Sequence, residues 1–300
     1  MRKSSKAALW IGSSFGVTVL GLGANGLAGV VDDGTLSPSE GYSLLATQTV
    51  NTGFGDSTIG DGTSGGGSEL DAGYGVVSGN NLNIFLSGNF ESNGNHVNVF
   101  VDDGRIGQST LAVPATGTMQ TMNGSVFSPG FQATYALDAN DFSGTTYVEE
   151  YTLTSPGTLS GGYVGAIGLT GGIGSGTPGV ATIGWNDTNA AGVNGNAGTA
   201  ANPAAADAVT TGMEISIPLS ALGNPNVPIF VLADINGGGD SYLSNQFLPG
   251  LPVGTGNLGT AGFNFGTTPG EYFVVPVPEP ASASLVGGAV MMLFVRRRKA

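Results

Sequence analysis

Residues 68–103 read SELDAGYGVVSGNNLNIFLSGNFESNGNHVNVFVDD. Leu82, Ile84 and Leu86 fall on alternate positions, and so do Val97, Val99 and Val101. Alternation with period two places each trio on one face of an extended strand. An apolar face opposite a polar one marks a half-buried antiparallel strand. Ser78-Gly79-Asn80 and Ser92-Asn93-Gly94-Asn95 supply turn residues between the runs. The stretch therefore predicts consecutive antiparallel strands.

The same pattern extends outward. Met213-Glu214-Ile215-Ser216-Ile217 alternates again. Ile229-Phe230-Val231-Leu232-Ala233 is apolar on both faces, as a central strand would be. Weaker strand signals lie at 74–78, 132–137, 145–153, 181–185 and 271–275. Helical periodicity is nearly absent, apart from one turn at Ser220-Ala221-Leu222-Gly223. Eight or nine strands of this kind define an all-β class: an antiparallel, jelly-roll-like β-sandwich with long Gly-rich loops. Residues 51–68 read as a surface loop. Residues 155–212, with 15 glycines, read as long loops holding one or two strands.

Composition narrows the chemistry. The chain has 300 residues, 54 of them Gly, one His and no Cys. Without Cys there is no disulfide framework, thiol nucleophile or thiolate-bound metal. Residues 31–278 hold twenty acids against the single base Arg105, a formal charge of −19. Such a domain is expected to repel nucleic acid, which is bound by neutralising phosphates. It is compatible with divalent cations or neutral sugars.

The basic residues gather at the two ends. MRKSSK precedes an apolar run with a small-residue exit, the form of a signal peptide and its helix at 1–28, with cleavage after Ala28. Gly21-Leu22-Gly23-Ala24-Asn25-Gly26 has dinucleotide-binding spacing but no βαβ unit around it. It reads as small residues near a cleavage site. At the other end, residues 281–295 carry no charge and would span about 22 Å as a helix. Snorkelling side chains of Arg296, Arg297, Arg298 and Lys299 would help this short transmembrane helix reach the interface. Those residues also hold the tail in the cytoplasm. Three parts follow: 1–28, an exported β domain at 29–277, and 278–300.

Pro278-Glu279-Pro280, the apolar run and the basic cluster together resemble the PEP-CTERM sorting signal of Gram-negative bacteria. The resemblance implies an exosortase partner, cleavage near the motif, and membrane attachment through the C-terminal helix before processing. It also implies export across the inner membrane to the cell surface or an exopolysaccharide matrix. Residues 68–103 are similar to a segment recurring in exported PEP-CTERM proteins. With GMEISIPLSALG (212–223) and IFVLADINGGGDSYLSNQFLPGL (229–251), the layout resembles family 9 carbohydrate-binding modules and DOMON-like sandwiches. Those modules clamp sugars between paired aromatics, and a second Trp is not matched here.

Candidate sites are few. His96 starts its strand on the polar side with Asn98 and reads as a surface or loop-packing residue. Asp102-Asp103 and Glu149-Glu150 are adjacent acids that point to opposite faces, so neither pair makes a ready glycosidase dyad. Asp234, Asn236 and Asp240 set oxygen atoms along a Gly-rich turn and form a calcium candidate that departs from the full EF-hand pattern. The alternative is an acidic turn after a buried strand. Asp102 and Asp103 form a second acidic cluster. Trp185, Tyr163 and Tyr242 would make a sugar site if the loops converge, whereas a Trp185 turned inward would be core. The expected function is a non-enzymatic, structural or adhesive cell-surface or matrix protein. The alternatives are a carbohydrate-binding module on extracellular polysaccharide and, least supported, a secreted hydrolase.

Overall fold

The computed structural model describes residues 29–55, 67–154, 160–260 and 262–278. Its fourteen described strands are β1 (Ser43–Thr47), β2 (Glu69–Ser78), β3 (Asn81–Asn89), β4 (Asn93–Asp102), β5 (Tyr135–Phe142), β6 (Thr145–Thr152), β7 (Ser160–Gly168), β8 (Ile173–Gly176), β9 (Thr182–Asn186), β10 (Gly212–Pro218), β11 (Ile229–Asn236), β12 (Tyr242–Leu248), β13 (Gly259–Thr260) and β14 (Phe273–Val275). One α-helical turn, α1 (Pro203–Ala206), interrupts them. The expected signal peptide, Glu279 and Pro280 of the sorting motif, the apolar run and the basic cluster lie outside the described residues; Pro278 lies inside them. Among the described residues, no helix is long and apolar enough to cross a membrane.

Two sheets form an all-β sandwich. One has the order β1-β2-β3-β10-β9-β8. The other runs β13-β12-β11-β4-β5-β6-β7, with β14 also paired to β11. The strand pairings are antiparallel. Turn chemistry sets the hairpin registers. Gly79 and Asn80 both take positive φ, +59° and +64°, in a two-residue loop that pairs Ser78 with Asn81. This is the type I′ geometry whose twist matches that of the flanking strands.

The trios read from the sequence fill the space between the sheets. Leu82, Ile84 and Leu86 join Val97, Val99, Val101, Met213, Ile215, Ile217, Val231, Ala233 and Ile235 in one buried cluster. The long segment after β4 and the one after β12 add a second core. Leu111, Met119, Met122, Phe127, Phe131, Phe263 and Phe265 pack on Phe100, Ala136, Leu232 and Phe247, on the outer face of the eight-stranded sheet. That sheet is therefore buried on both sides, which is why β11 reads as apolar throughout.

Three expectations change. The Gly-rich stretch 155–212 holds β7, β8 and β9 rather than one or two strands. Strand β5 begins at Tyr135 and runs to Phe142, beyond the expected 132–137, because the covering layer also buries its polar residue Asp138. The acids are largely interior: among the described residues, fourteen Asp and Glu side chains are buried. The −19 of residues 31–278 therefore describes the inside of the sandwich more than its surface.

Candidate metal centre

Strand register gathers one polar group. Asn98 on β4 lies directly opposite Asp138 on β5 and Asp234 on β11. His96, two residues before Asn98, lies opposite Asn236. Residues two apart share a face, and this is the outer face, at the end not filled by the second core. Asp240 enters from the turn after β11, held at φ +50°. Asp tolerates this left-handed region better than most residues.

One ligand atom from each of His96, Asp138 and Asp240 lies within 4.8 Å of the others. His96 Nδ1 is 2.8 Å from Asp138 Oδ1 and 3.6 Å from Asp240 Oδ2. The Gly239 N–H donates to His96 Nε2 at 3.1 Å. Asn98 Nδ2 donates to Asp240 Oδ1 at 3.1 Å. The Thr118 hydroxyl donates to Asp138 Oδ2 at 3.0 Å, and the Thr121 hydroxyl to the Asp240 carbonyl at 2.6 Å. Thr118 precedes, and Thr121 lies within, a 3-10 turn, Met119–Met122, that packs over the cluster. His96, Asn98, Asp138, Asp234, Asn236 and Asp240 are all buried.

The electrostatics follow from that enclosure. Burial first, then the charges of Asp240 and Asp138, hold the Asp234 carboxyl well above the usual carboxylate range, against the opposing charge of His96. Asp240 is held up by burial and then by the Asp138 charge. For His96, burial works to lower the pKa. The charge and hydrogen bond of Asp138, then the charge of Asp240, outweigh it and carry the ring up to about 9. The Gly239 bond acts the other way, because it needs a lone pair on Nε2 that imidazolium lacks. While that bond stands, the ring is neutral with its proton on Nδ1, facing Asp138.

The candidates named from the sequence separate here. Asp240 joins His96 and Asp138 in one group of ligand atoms, and Asp234 lies beside that group on β11, opposite Asn98. Asn236 does not offer its carbonyl oxygen, because Oδ1 accepts from the Gly237 and Tyr242 N–H groups and closes the turn. Asp138 and Asn98, on other strands, stand in its place. His96 is not a surface residue: it is 3% exposed beneath the turn. The Asp102 and Asp103 cluster is committed elsewhere. Asp102 accepts from Gly104 and Gln132 N–H groups, and Asp103 pairs with Arg105. Glu149 and Glu150 do point apart: Glu149 accepts from the Thr118 N–H, Glu150 from those of Val180 and Ala181.

The aromatic trio does not converge. Trp185 on β9 is fully buried and packs on Phe90 with ring centroids 5.3 Å apart, so it has no face for a sugar. Tyr242 on β12 and Tyr163 on β7 are exposed, but they lie five strands apart in the other sheet. At about 4.8 Å per strand that is roughly 24 Å. The structure does bring Tyr163 against Tyr147, also exposed, with centroids 6.4 Å apart. Tyr147 was missed because it sits on a different strand. Its place in the alternation of residues 145–153 was the available signal.

The fold and the cluster define an all-β, two-sheet sandwich with a buried acidic centre under one face. Compared with known proteins, the chain matches no family model, no curated protein and no solved structure.

Proposed function

We propose that this is an exported, non-enzymatic cell-surface or matrix protein, a jelly-roll-like sandwich carried between a signal helix and an exosortase-sorted, membrane-held tail. One observation supports the non-enzymatic part: buried carboxylates serve as clamps that fasten loop backbone to the sheets. Glu214 accepts from the Asp33 and Gly34 N–H groups, and Glu40 from those of Val31 and Ser37. Asp71 accepts from Val193, Glu150 from Val180 and Ala181, and Asp102 from Gly104 and Gln132. Such bonds satisfy backbone N–H groups that burial would otherwise leave unpaired. They make a coat of long loops rigid, which suits a structural or adhesive role. The sorting part rests on Pro278-Glu279-Pro280 and the run that follows. Cell fractionation tests it. The full chain should stay with the cell surface or matrix of an exosortase-bearing Gram-negative-type host. A chain ending at residue 277 should be released, and full retention of the shorter chain would overturn the sorting reading.

A second reading, docking on extracellular polysaccharide, is favoured by the exposed Tyr147 and Tyr163 pair. Neighbouring rings with apolar faces and polar tips suit sugar stacking. Replacing both with Ala should abolish any polysaccharide retention seen in affinity electrophoresis. Retention unchanged by that double substitution would remove this reading.

A further inference from the structure

We propose that Asp138, Asp234 and Asp240, with the Asn98 carbonyl oxygen, enclose one hard divalent cation of the calcium type, with His96 as a positioning residue. The inference is independent of where the protein is sorted.

The acids alone would not carry this. The second observation is a set of buried oxygen atoms with no hydrogen-bond donor among the described residues. Both carboxylate oxygens of Asp234 are in this state, as are Asn98 Oδ1 and Asp240 Oδ2. Asp234 is wholly buried and, like Asp138, lies directly opposite Asn98, so the three side chains share one covered face of the sheet. A buried polar group left without a partner is costly, and most such groups in folded proteins are satisfied. Four such acceptors gathered on one buried face call for a group that is all positive charge.

The charge balance points the same way. As ligands, Asp138, Asp234 and Asp240 would bring three negative charges into the interior beside a His96 ring that the Gly239 bond keeps neutral. Unpaired buried charge costs several kcal/mol per ion. A divalent cation cancels two of the three.

The donor atoms select its class. Both His96 nitrogens are engaged, Nδ1 by Asp138 and Nε2 by the Gly239 N–H. The atoms left to coordinate are oxygens. Oxygen-only sites suit Ca²⁺ and Mg²⁺ rather than Zn²⁺. A ligand carboxylate oriented by an imidazole is a familiar outer-shell arrangement. Thr118 and Thr121 latch the turn that closes the space, so the ion would be taken up as the chain folds.

The test uses the full chain, unfolded in urea with chelator, freed of chelator, and refolded with Ca²⁺, Mg²⁺, Zn²⁺ or no added metal. The expected result is one Ca²⁺ per chain after gel filtration, measured by atomic emission, and a Tm that climbs with Ca²⁺ concentration. Asp234→Asn and Asp240→Asn should each weaken Ca²⁺ binding at least tenfold. Without metal, Asp234→Asn should melt at or above the unsubstituted chain, because it replaces a buried acid without a donor by an amide that can donate to the neighbouring acceptors. Asp207→Asn, an exposed acid that binds Thr47, should keep the full Ca²⁺ response. Three results would each overturn the proposal: no retained ion with Tm unchanged by Ca²⁺, preference for Zn²⁺, or a Ca²⁺ response that survives both cluster substitutions. The metal content of the unsubstituted chain decides the matter even if a variant does not fold.

Discussion

Replacing Trp185 separates a core residue from a binding residue. It is 0% exposed and lies in the cluster between the sheets, against Phe90. A buried aromatic of this kind covers up to about 250 Å². At about 25 cal/mol per Å² the whole side chain is worth roughly 6 kcal/mol. Trp185→Ala keeps Cβ and lets the neighbours relax in part, so the expected loss is about 3–5 kcal/mol. Trp185→Phe behaves differently. The indole Nε1–H has no partner among the described residues. Phe forfeits about 1–2 kcal/mol of burial but removes a buried donor whose lack of a partner costs about 1–3 kcal/mol. The two nearly cancel, and Trp185→Phe should lie within about 1 kcal/mol of the unsubstituted chain. Urea unfolding followed by far-UV circular dichroism gives both values without relying on the fluorophore being removed. A loss under about 1 kcal/mol for Trp185→Ala would refute the core placement. Equal losses for Ala and Phe would refute the unpaired-donor argument.

Three further outcomes are expected. Burial raises the Glu214 carboxyl to about 7, against the pull of its Tyr42 and Asp33 hydrogen bonds. The folded chain therefore holds a proton that the unfolded chain releases, so this contribution is complete below about pH 4.5 and is lost as pH rises through 7. Between pH 5 and 8 the unsubstituted chain should lose about 1–2 kcal/mol relative to Glu214→Gln, allowing for part-solvated surroundings. Urea midpoints measured across that range check it. Ser143 sits at φ +54° in the turn between β5 and β6, so Ser143→Gly should raise stability by up to about 1 kcal/mol, read as a higher urea midpoint. Phe127 packs on Phe100, Phe131 and Phe263 with centroids 5.1, 5.1 and 5.3 Å away. Phe127→Ala should cost about 3–5 kcal/mol and speed amide exchange in residues 104–134 ahead of β3 and β10.

The sequence by itself determined the strands and their inner faces. Leu82, Ile84 and Leu86, the valines of β4 and the isoleucines of β10 announce themselves because a two-residue period is local information. Nothing outside the segment is needed to say which side of a strand is apolar. The same alternation misplaced His96, since it marks a polar side but not whether that side is wet. Residues 104–134 fold back over the eight-stranded sheet, and only that tertiary layer turns a polar face into an interior. Trp185 is the converse case: flanked by Gly184 and Asn186, it looks accessible until the facing sheet and Phe90 close over its side of β9. The acidic centre depends most of all on tertiary structure. Asp234, near the end of β11, and Asp240, in the turn after it, are close in sequence and could be read together, but Asn98 and Asp138 are single polar residues in separate strands. Their meeting is set by the register of β11 on β4 and of β4 on β5, and register is fixed by packing across the sheets, which no single strand encodes.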